Sequence, residues 1–169
     1  MDFREAEREY EDEVVGETTL PRMFEDAAAR YTDQPAQGYK GGVYRRTLTP
    51  DVLPPAPDGD YENVTYGELR DIVRNLAAGF RDLGVGEGDR VGIFAHTRME
   101  WAQCDFGLLA AGAAVTTVYA SSSPRQVDHL LGDSEATAVV VEGEEELARV
   151  REVEDHLDLE FVVTMDQVA

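Results

Sequence analysis

The chain has 169 residues and a formal net charge of -20 at pH 7, from 35 acidic and 15 basic side chains. This charge works against binding nucleic acid or an anionic membrane surface, because both are bound through basic side chains. Hydrophobic residues make up 43% of the sequence, which is enough for a folded core and argues against disorder.

Residues 1–64 are predicted to form a charged N-terminus, a lead-in helix and an irregular proline-rich segment. The helix reads TLPRMFEDAAARY, with Thr19 as its N-cap and Pro21 in its first turn. Its predicted apolar face consists of Met23, Phe24, Ala27 and Tyr31. GGVYRRTL is a strand candidate, and TPDVLPPAPDGDY is predicted to be a surface loop that ends in an Asp-Gly turn.

Residues 65–169 are predicted to form an α/β subdomain. Thr65 and Glu68 form a capping box, and the helix that follows ends at Gly84. Its apolar positions recur every three or four residues: Leu69, Ile72, Val73, Leu76, Ala77, Phe80 and Leu83.

Four apolar runs are predicted strands: RVGIFA, AAVTTVYA, ATAVVVE and EFVVTMD. Helices are predicted between them, with further capping boxes formed by Thr97 with Glu100 and by Ser123 with Gln126. This alternation of helices with strands that are apolar on both faces predicts a mainly parallel sheet covered by helices on both faces.

The glycines of LGVGEGDRVGIF are spaced like those of a phosphate-binding loop, but the surrounding elements come in the reverse order. A dinucleotide-binding loop follows a strand and opens a helix, whereas Gly84, Gly86 and Gly88 follow a helix and lead into a strand. A phosphate there would face the negative end of the preceding helix. We therefore interpret these glycines as a tight turn that holds no nucleotide.

Ligands of a parallel sheet bind beyond the carboxyl ends of its strands. The first such junction offers His96, Thr97 and Arg98, although a surface histidine with no metal-spaced partner is the simpler interpretation of His96. The serines of VYASSSPRQ precede a helix and are suited to binding an anion, whereas Ser123 is also explained by capping alone. VEGEEE is too acidic for phosphate, and Cys104, in an apolar helix, is predicted to be a core residue.

TYGEL, LGVGEGDRVGIF, MEW and AAGA occur in the order and spacing of the AMP-forming acyl-CoA synthetases. The chain therefore resembles the start of these enzymes, which share the adenylate-forming superfamily with luciferases and peptide-synthetase adenylation domains. The resemblance covers about residues 19–165. TRMEW and TTVYASSSP are most similar to long-chain fatty acid–CoA ligases.

The resemblance implies a reaction in two steps, in which ATP and a fatty acid give an acyl-adenylate and the CoA thiol then displaces AMP, with Mg²⁺ at the phosphates. It also implies that the ATP-binding loop, which ends in a lysine, and the C-terminal catalytic domain belong to polypeptide beyond Ala169. We therefore expect this portion to contain no catalytic residue or metal ligand, to hold no cofactor tightly, and to be inactive by itself.

In related acetyl-CoA-type synthetases, the segment matching VYASSSP borders the channel for the pantetheine arm of CoA. The resemblance thus makes Tyr119, Ala120, Ser121 and Ser122 candidates for the wall of that channel, mostly through backbone groups. The alternative is a structural turn before a capped helix.

Two other functions remain open at this point. The chain could be a free-standing, flavodoxin-like module that binds a small anion at its serine-rich junction, or an interaction domain that self-associates. In the ligase interpretation, the partners of the chain are a long-chain fatty acid, CoA and the remainder of the adenylation domain. Assembly into a homo-oligomer remains an open alternative.

The sequence also predicts a location. Cys104 is the single cysteine, so no internal disulfide forms, and the N-terminus has no apolar signal-peptide core. No apolar run is long enough to span a bilayer. Together with the single lysine, Lys40, the acidic excess is similar to that of proteins from salt-loving archaea, where salt screens the self-repulsion. We therefore expect a cytoplasmic protein of a halophilic archaeon.

Overall fold

The structure is a computed structural model and describes residues 4–5, 18–42 and 56–168. Helix α1 spans Leu20–Arg30, and the Thr19 side chain accepts a hydrogen bond from the backbone N–H of Arg22 at 3.4 Å, which confirms the predicted N-cap. The predicted apolar face is only partly correct. Phe24 and Ala28 are the buried residues, whereas Met23 and Tyr31 are exposed.

The buried face of α1 packs into a core cluster. The Phe24 ring stacks on the ring of Phe106 with their centroids 4.7 Å apart. Phe24 and Ala28 belong to this cluster together with Leu69 and Val73, whereas the side chain of Met23 is exposed.

Two short strands occur where the sequence predicts irregular structure. Strand β1 (Pro35–Lys40) pairs antiparallel with strand β2 (Tyr61–Thr65). Tyr39 and Val64 are the buried residues of these strands. Because each strand has one buried apolar residue, the sequence lacks the alternating apolar pattern that predicts a strand, and the prediction missed both. The pairing joins segments about 20 residues apart, which local patterns do not reveal.

The strand predicted over GGVYRRTL is not found where the structure describes that stretch. Gly41 forms an isolated bridge with Asp58 and Gly42 lies in a turn, while residues 43–48 lie outside the described residues. The Asp-Gly turn is confirmed, because Gly59 has a φ of +89° and the N–H of Asp60 donates to the carbonyl of Pro57 at 3.0 Å.

Helix α2 spans Tyr66–Asp82 and begins with the predicted capping box. The Glu68 carboxylate accepts a hydrogen bond from the N–H of Thr65 at 2.8 Å, and the Thr65 hydroxyl accepts one from the N–H of Glu68 at 3.2 Å. The helix ends before Gly84, whose φ of +103° is the left-handed conformation predicted there. Leu83, predicted on the apolar face, follows the last helical residue and is 50% exposed.

The core of the protein is a four-stranded, entirely parallel sheet with the strand order β4-β3-β5-β6. Its strands are β3 (Arg90–Ala95), β4 (Ala114–Tyr119), β5 (Ala138–Val141) and β6 (Phe161–Thr164). The connecting helices are α3 (Met99–Ala111), α4 (Pro124–Asp133) and α5 (Glu144–Arg151), followed by a short 3₁₀ turn.

Helices cover both faces of this sheet, as predicted. Helices α2 and α3 pack on one face and helices α4 and α5 on the other. The central strands β3 and β5 are buried on both faces, whereas the edge strand β4 is largely exposed. The described part of the lead-in segment packs through Phe24 and Val64 against α2 and α3, and the division of the chain at residue 64 stays a prediction.

One of the predicted capping boxes is wrong. Ser123 and Gln126 do form one, since the N–H of Ser123 donates to Gln126 Oε1 at 2.9 Å. At the start of α3, however, the N-cap residue is Arg98 rather than Thr97. Glu100 is buried and accepts a hydrogen bond from the Arg98 side chain at 2.9 Å.

Candidate functional site

The carboxyl ends of the four parallel strands meet at one edge of the sheet, and the predicted ligand-facing junctions lie there. His96 to Arg98 follow β3, Tyr119 ends β4 and Ala120 to Ser123 follow it, Glu142 follows β5 and Asp166 lies just after β6. We call this the carboxyl edge. It brings together side chains that lie up to 68 residues apart in sequence.

Arg98 is the centre of a charged cluster at this edge, and its side chain is only 1% exposed. Its Nη1 and Nη2 donate to the two carboxylate oxygens of Asp166 at 2.9 Å each, and its Nε donates to Glu100 at 2.9 Å. Its Nη1 also lies 3.4 Å from Glu142 Oε1. One guanidinium therefore joins the ends of β3, β5 and β6.

The charge of this cluster is unbalanced. Burial alone lowers the pKa of Arg98, but hydrogen bonds to Asp166 and Glu100 outweigh it and hold the pKa above its ordinary value. Arg98 is therefore a permanent cation facing three carboxylates, with an excess of two negative charges when they are ionised. This excess disfavours phosphate at this place.

The carboxylates of the cluster do not form a metal site. They already accept hydrogen bonds or ion pairs from Arg98. Within residues 4–5, 18–42 and 56–168, no group of three or more His, Cys, Asp or Glu side chains is arranged to hold a metal ion.

His96 lies beside this cluster with its side chain 63% exposed. Its Nδ1 is 2.9 Å from Glu142 Oε2, and its backbone N–H donates to the same oxygen at 2.7 Å. The sequence analysis named His96 as a candidate ligand-facing residue but did not identify Glu142 as its partner. The only available signal was that Glu142 directly follows an apolar strand, as His96 does.

The residues proposed for the CoA channel form a tight turn after β4. The N–H of Ser122 donates to the carbonyl of Tyr119 at 2.8 Å. Tyr119 is 75% exposed and Ser121 is exposed, whereas Ala120 is half-buried and Ser122 is buried. The structure thus brings the four residues together at the carboxyl edge, and their role in binding CoA stays a prediction.

Arg149 of α5 holds this turn in place. Its Nη1 donates to the carbonyl of Ala120 at 2.5 Å and lies 3.5 Å from the carbonyl of Ser122, while its Nη2 pairs with Glu145. The Arg149 guanidinium therefore contacts two backbone acceptors that the sequence offered to a ligand. Sequence reasoning missed Arg149, since it lies 27 residues or more from the turn.

The glycine-rich loop is a turn at the opposite edge of the sheet, as its order predicted. Gly84 and Gly88 have φ values of +103° and +94°. The N–H of Gly86 donates to the Asp89 carboxylate at 2.7 Å, so an acidic side chain of the protein occupies this donor. That no nucleotide binds there stays a prediction.

An apolar groove of about 430 Å³ lies between α2, α3 and β6. Its wall includes Ile72, Leu76, Val163 and Met165. Cys104 also lines it and is 7% exposed, which confirms the predicted core position, and burial raises the pKa of its thiol to about 12. In the described ranges, the helices are too short or too polar to cross a membrane.

One known protein family matches nearly the whole described chain in sequence. The family described as "AMP-binding enzyme" matches residues 24–169. The chain belongs to the AMP-binding enzyme family. This confirms the resemblance to adenylate-forming enzymes that the sequence indicated.

Several curated relatives of the chain are described as long-chain-fatty-acid–CoA ligases. The chain is 30% identical over 145 residues to the long-chain-fatty-acid–CoA ligase heimdall of Drosophila melanogaster. This match covers 86% of the chain and 20% of that protein. The chain is also 43% identical over 96 residues to the long-chain-fatty-acid–CoA ligase FadD15 of Mycobacterium tuberculosis. This match covers 57% of the chain and 16% of that protein. The chain therefore spans about a fifth of the length of the curated relatives it matches.

Solved structures show the same fold. A long-chain-fatty-acid–CoA ligase (FadD1) from Archaeoglobus fulgidus superposes with a TM-score of 0.70 at 20% identity, covering 87% of this chain and 27% of that one. The N-terminal domain of FACL13 from Mycobacterium tuberculosis gives 0.69 at 15% identity, covering 87% and 34%. The chain thus has the α/β fold of part of these proteins.

Proposed function

We propose that this chain is the N-terminal portion of a long-chain fatty acid–CoA ligase. The observation that carries the proposal is the match over 86% of the chain to a protein described as such a ligase. In the complete enzyme, ATP and a long-chain fatty acid would give an acyl-adenylate and pyrophosphate. The CoA thiol would then displace AMP and form the thioester.

The described residues do not fit the ATP and Mg²⁺ of this reaction. The buried carboxylates are paired with Arg98, and the glycine-rich loop lies at the carboxyl end of α2, where the helix dipole repels phosphate. We therefore assign ATP, Mg²⁺ and the catalytic groups to the remainder of the polypeptide. The portion described here supplies the parallel sheet and its carboxyl edge.

We assign one wall of the CoA channel to Tyr119, Ala120, Ser121 and Ser122. Their position at the carboxyl edge supports the assignment, because ligands of parallel sheets bind beyond this edge. Arg149 fixes the backbone of the turn, and the exposed Tyr119 and Ser121 give it an open outer surface.

The test of this function combines an assay with the reading frame. The isolated chain is expected to show no fatty-acid-dependent ATP–pyrophosphate exchange, while the Escherichia coli long-chain ligase, assayed in parallel, does. The sequence that continues the reading frame beyond Ala169 is expected to encode a Ser/Thr/Gly-rich loop that ends in lysine. A continuing frame without that loop would contradict the ligase proposal, and exchange by the isolated chain would contradict the assignment of the catalytic groups.

The apolar groove favours a second candidate, self-association. In a complete ligase the remainder of the adenylation domain would cover Ile72, Leu76 and Val163, and in the isolated chain a second copy is the alternative cover. Light scattering without ligand decides between them. A mass that rises with protein concentration favours self-association, and a constant monomer mass excludes it.

The acidic surface predicts a strong salt response. We infer that the net charge of -20 is an adaptation to the salt-rich cytoplasm of a halophilic archaeon. The melting temperature is therefore expected to rise steeply between low salt and molar KCl, because screening relieves the self-repulsion of the folded chain. Thermal unfolding followed by circular dichroism measures this, and a flat response would contradict salt adaptation.

A further inference from the structure

His96 and Glu142 form a histidine–carboxylate pair for which the function proposed above has no use. Glu142 Oε2 is 2.9 Å from His96 Nδ1 and accepts a hydrogen bond from the His96 backbone N–H at 2.7 Å. The other oxygen of Glu142 lies 3.4 Å from the buried guanidinium of Arg98. Both carboxylate oxygens are thus held, and the imidazole has a fixed partner.

This pair determines which ring nitrogen of His96 faces a ligand. A carboxylate only accepts hydrogen bonds, so in the neutral imidazole Nδ1 carries the proton and donates it to Glu142. Nε2 is then a hydrogen-bond acceptor, on a side chain that is 63% exposed. A carboxylate that orients histidine through the opposite nitrogen is the arrangement of many functional histidines.

The surrounding charge selects the class of ligand. Among the described residues, the ion pairs of Glu142, Asp166 and Glu100 at this edge are with one guanidinium, that of Arg98, and with the His96 imidazole. The excess of two negative charges repels a phosphate or a nucleotide. An uncharged group with a hydrogen to donate, such as an amide N–H, a hydroxyl or a thiol, suits this acceptor.

The sheet register places His96 beside the turn assigned to CoA. Ala95 and Tyr119 are the last partners in the parallel pairing of β3 and β4, and His96 and Ala120 are the first residues after these two adjacent strands. Neighbouring strands lie about 4.8 Å apart. Of the two parts of CoA, the phosphorylated adenosine is anionic, whereas the pantetheine arm is uncharged and carries amide, hydroxyl and thiol donors.

We propose that His96 Nε2 accepts a hydrogen bond from the pantetheine arm of CoA, and that Glu142 is the positioning residue that sets the His96 tautomer. The proposal rests on the assignment of the chain to an acyl-CoA ligase. It adds His96 to the channel wall and gives Glu142 a role in orienting its imidazole.

The test uses the ¹⁵N-histidine-labelled chain in molar KCl, at a pH where imidazole is neutral, with pantetheine and adenosine 3′,5′-bisphosphate as separate probes. Pantetheine is expected to shift the Nε2 resonance of His96, and the bisphosphate is expected to leave it unchanged. His156, on the 3₁₀ turn after α5, is the internal control. Its side chain is similarly exposed, and its Nδ1 lies 3.7 Å from Asp128 Oδ1. An equal shift at both histidines would overturn the proposal.

Variants separate a binding role from a structural one. His96→Ala is expected to weaken pantetheine binding at least fivefold, and His96→Gln to recover part of it, because the glutamine amide oxygen replaces Nε2 as an acceptor. Glu142→Gln is expected to move the His96 nitrogen resonances toward the mixture of tautomers of a free imidazole, and His156→Ala to change nothing. Unchanged pantetheine affinity in His96→Ala would overturn the proposal.

The outcomes distinguish this proposal from the ligase assignment. A shift at the Ser121 amide without one at His96 would overturn the role of His96 and leave the CoA channel in place. A pantetheine-induced shift at His96 would support the role of His96 whether or not the isolated chain is active. The ligase assignment is tested separately by the reading frame beyond Ala169.

Discussion

Replacing Arg98 with methionine is expected to lower the free energy of unfolding by about 3–5 kcal/mol, the usual cost of removing one partner from a buried ion pair. The methionine side chain fills much of the same volume but donates no hydrogen bonds. Asp166, Glu100 and Glu142 would then lie together without a cation at the carboxyl edge. Urea unfolding of the two proteins in the same salt measures the difference.

Arg74→Met is the matched control for this substitution. Arg74 also forms a two-pronged pair with a carboxylate, donating from Nε and Nη2 to Glu25 at 2.8 and 2.6 Å. Its side chain is 58% exposed, whereas that of Arg98 is 1% exposed. Because water solvates both partners in the exposed pair, Arg74→Met is expected to change the unfolding free energy little.

Salt separates the two pairs further. Molar KCl screens an exposed ion pair but has little effect on a buried one, so the loss in Arg98→Met is expected to persist in high salt. An equal loss in Arg98→Met and Arg74→Met would show that the Arg98 cluster has no special role in stability.

Gly92→Ala is expected to lower the free energy of unfolding by about 1–3 kcal/mol through overpacking. Gly92 lies in the central strand β3, and a Cβ atom there would be 2.5 Å from Leu131 Cδ2 and 3.1 Å from Val139 Cγ2. Both neighbours are fully buried, so the Leu131 side chain has no solvent into which to move. Thermal or urea unfolding measures the loss.

Gly79→Ala makes the same chemical change at an unconstrained position. Gly79 lies in α2, and no atom comes within 4 Å of a Cβ placed there. Alanine in a helix is more stable than glycine by about 0.5–1 kcal/mol, so this variant is expected to be more stable than the wild type. If both alanine variants gained stability, the close approach of Leu131 to β3 would be contradicted.

Local signals in the sequence predicted much of the subdomain because they act over a few residues. Thr65 with Glu68, and Ser123 with Gln126, began helices where the sequence indicated. Gly84 ended α2 because its left-handed conformation suits glycine. The apolar runs became β3, β4, β5 and β6 within a residue or two of their predicted ends.

In two of the failed predictions, residues with the spacing of a local pattern do not form it in the folded protein. Thr97 and Glu100 have capping-box spacing, but the N-cap residue of α3 is Arg98, whose side chain donates a hydrogen bond to Glu100. Tyr31 has helical spacing but is the C-cap residue of α1 and is exposed, whereas Phe24 of the same helix packs on Phe106.

The sequence alone determined the alternation of helices and strands, the parallel sheet and the family resemblance, because periodicity, caps and apolar runs are written in neighbouring residues. Only the tertiary structure decided which side chains share the carboxyl edge. Arg98 contacts Asp166 across 68 residues and His96 contacts Glu142 across 46, and both contacts depend on the strand order β4-β3-β5-β6. Strand order arises from packing over the whole chain, so no local pattern specifies these charged partners.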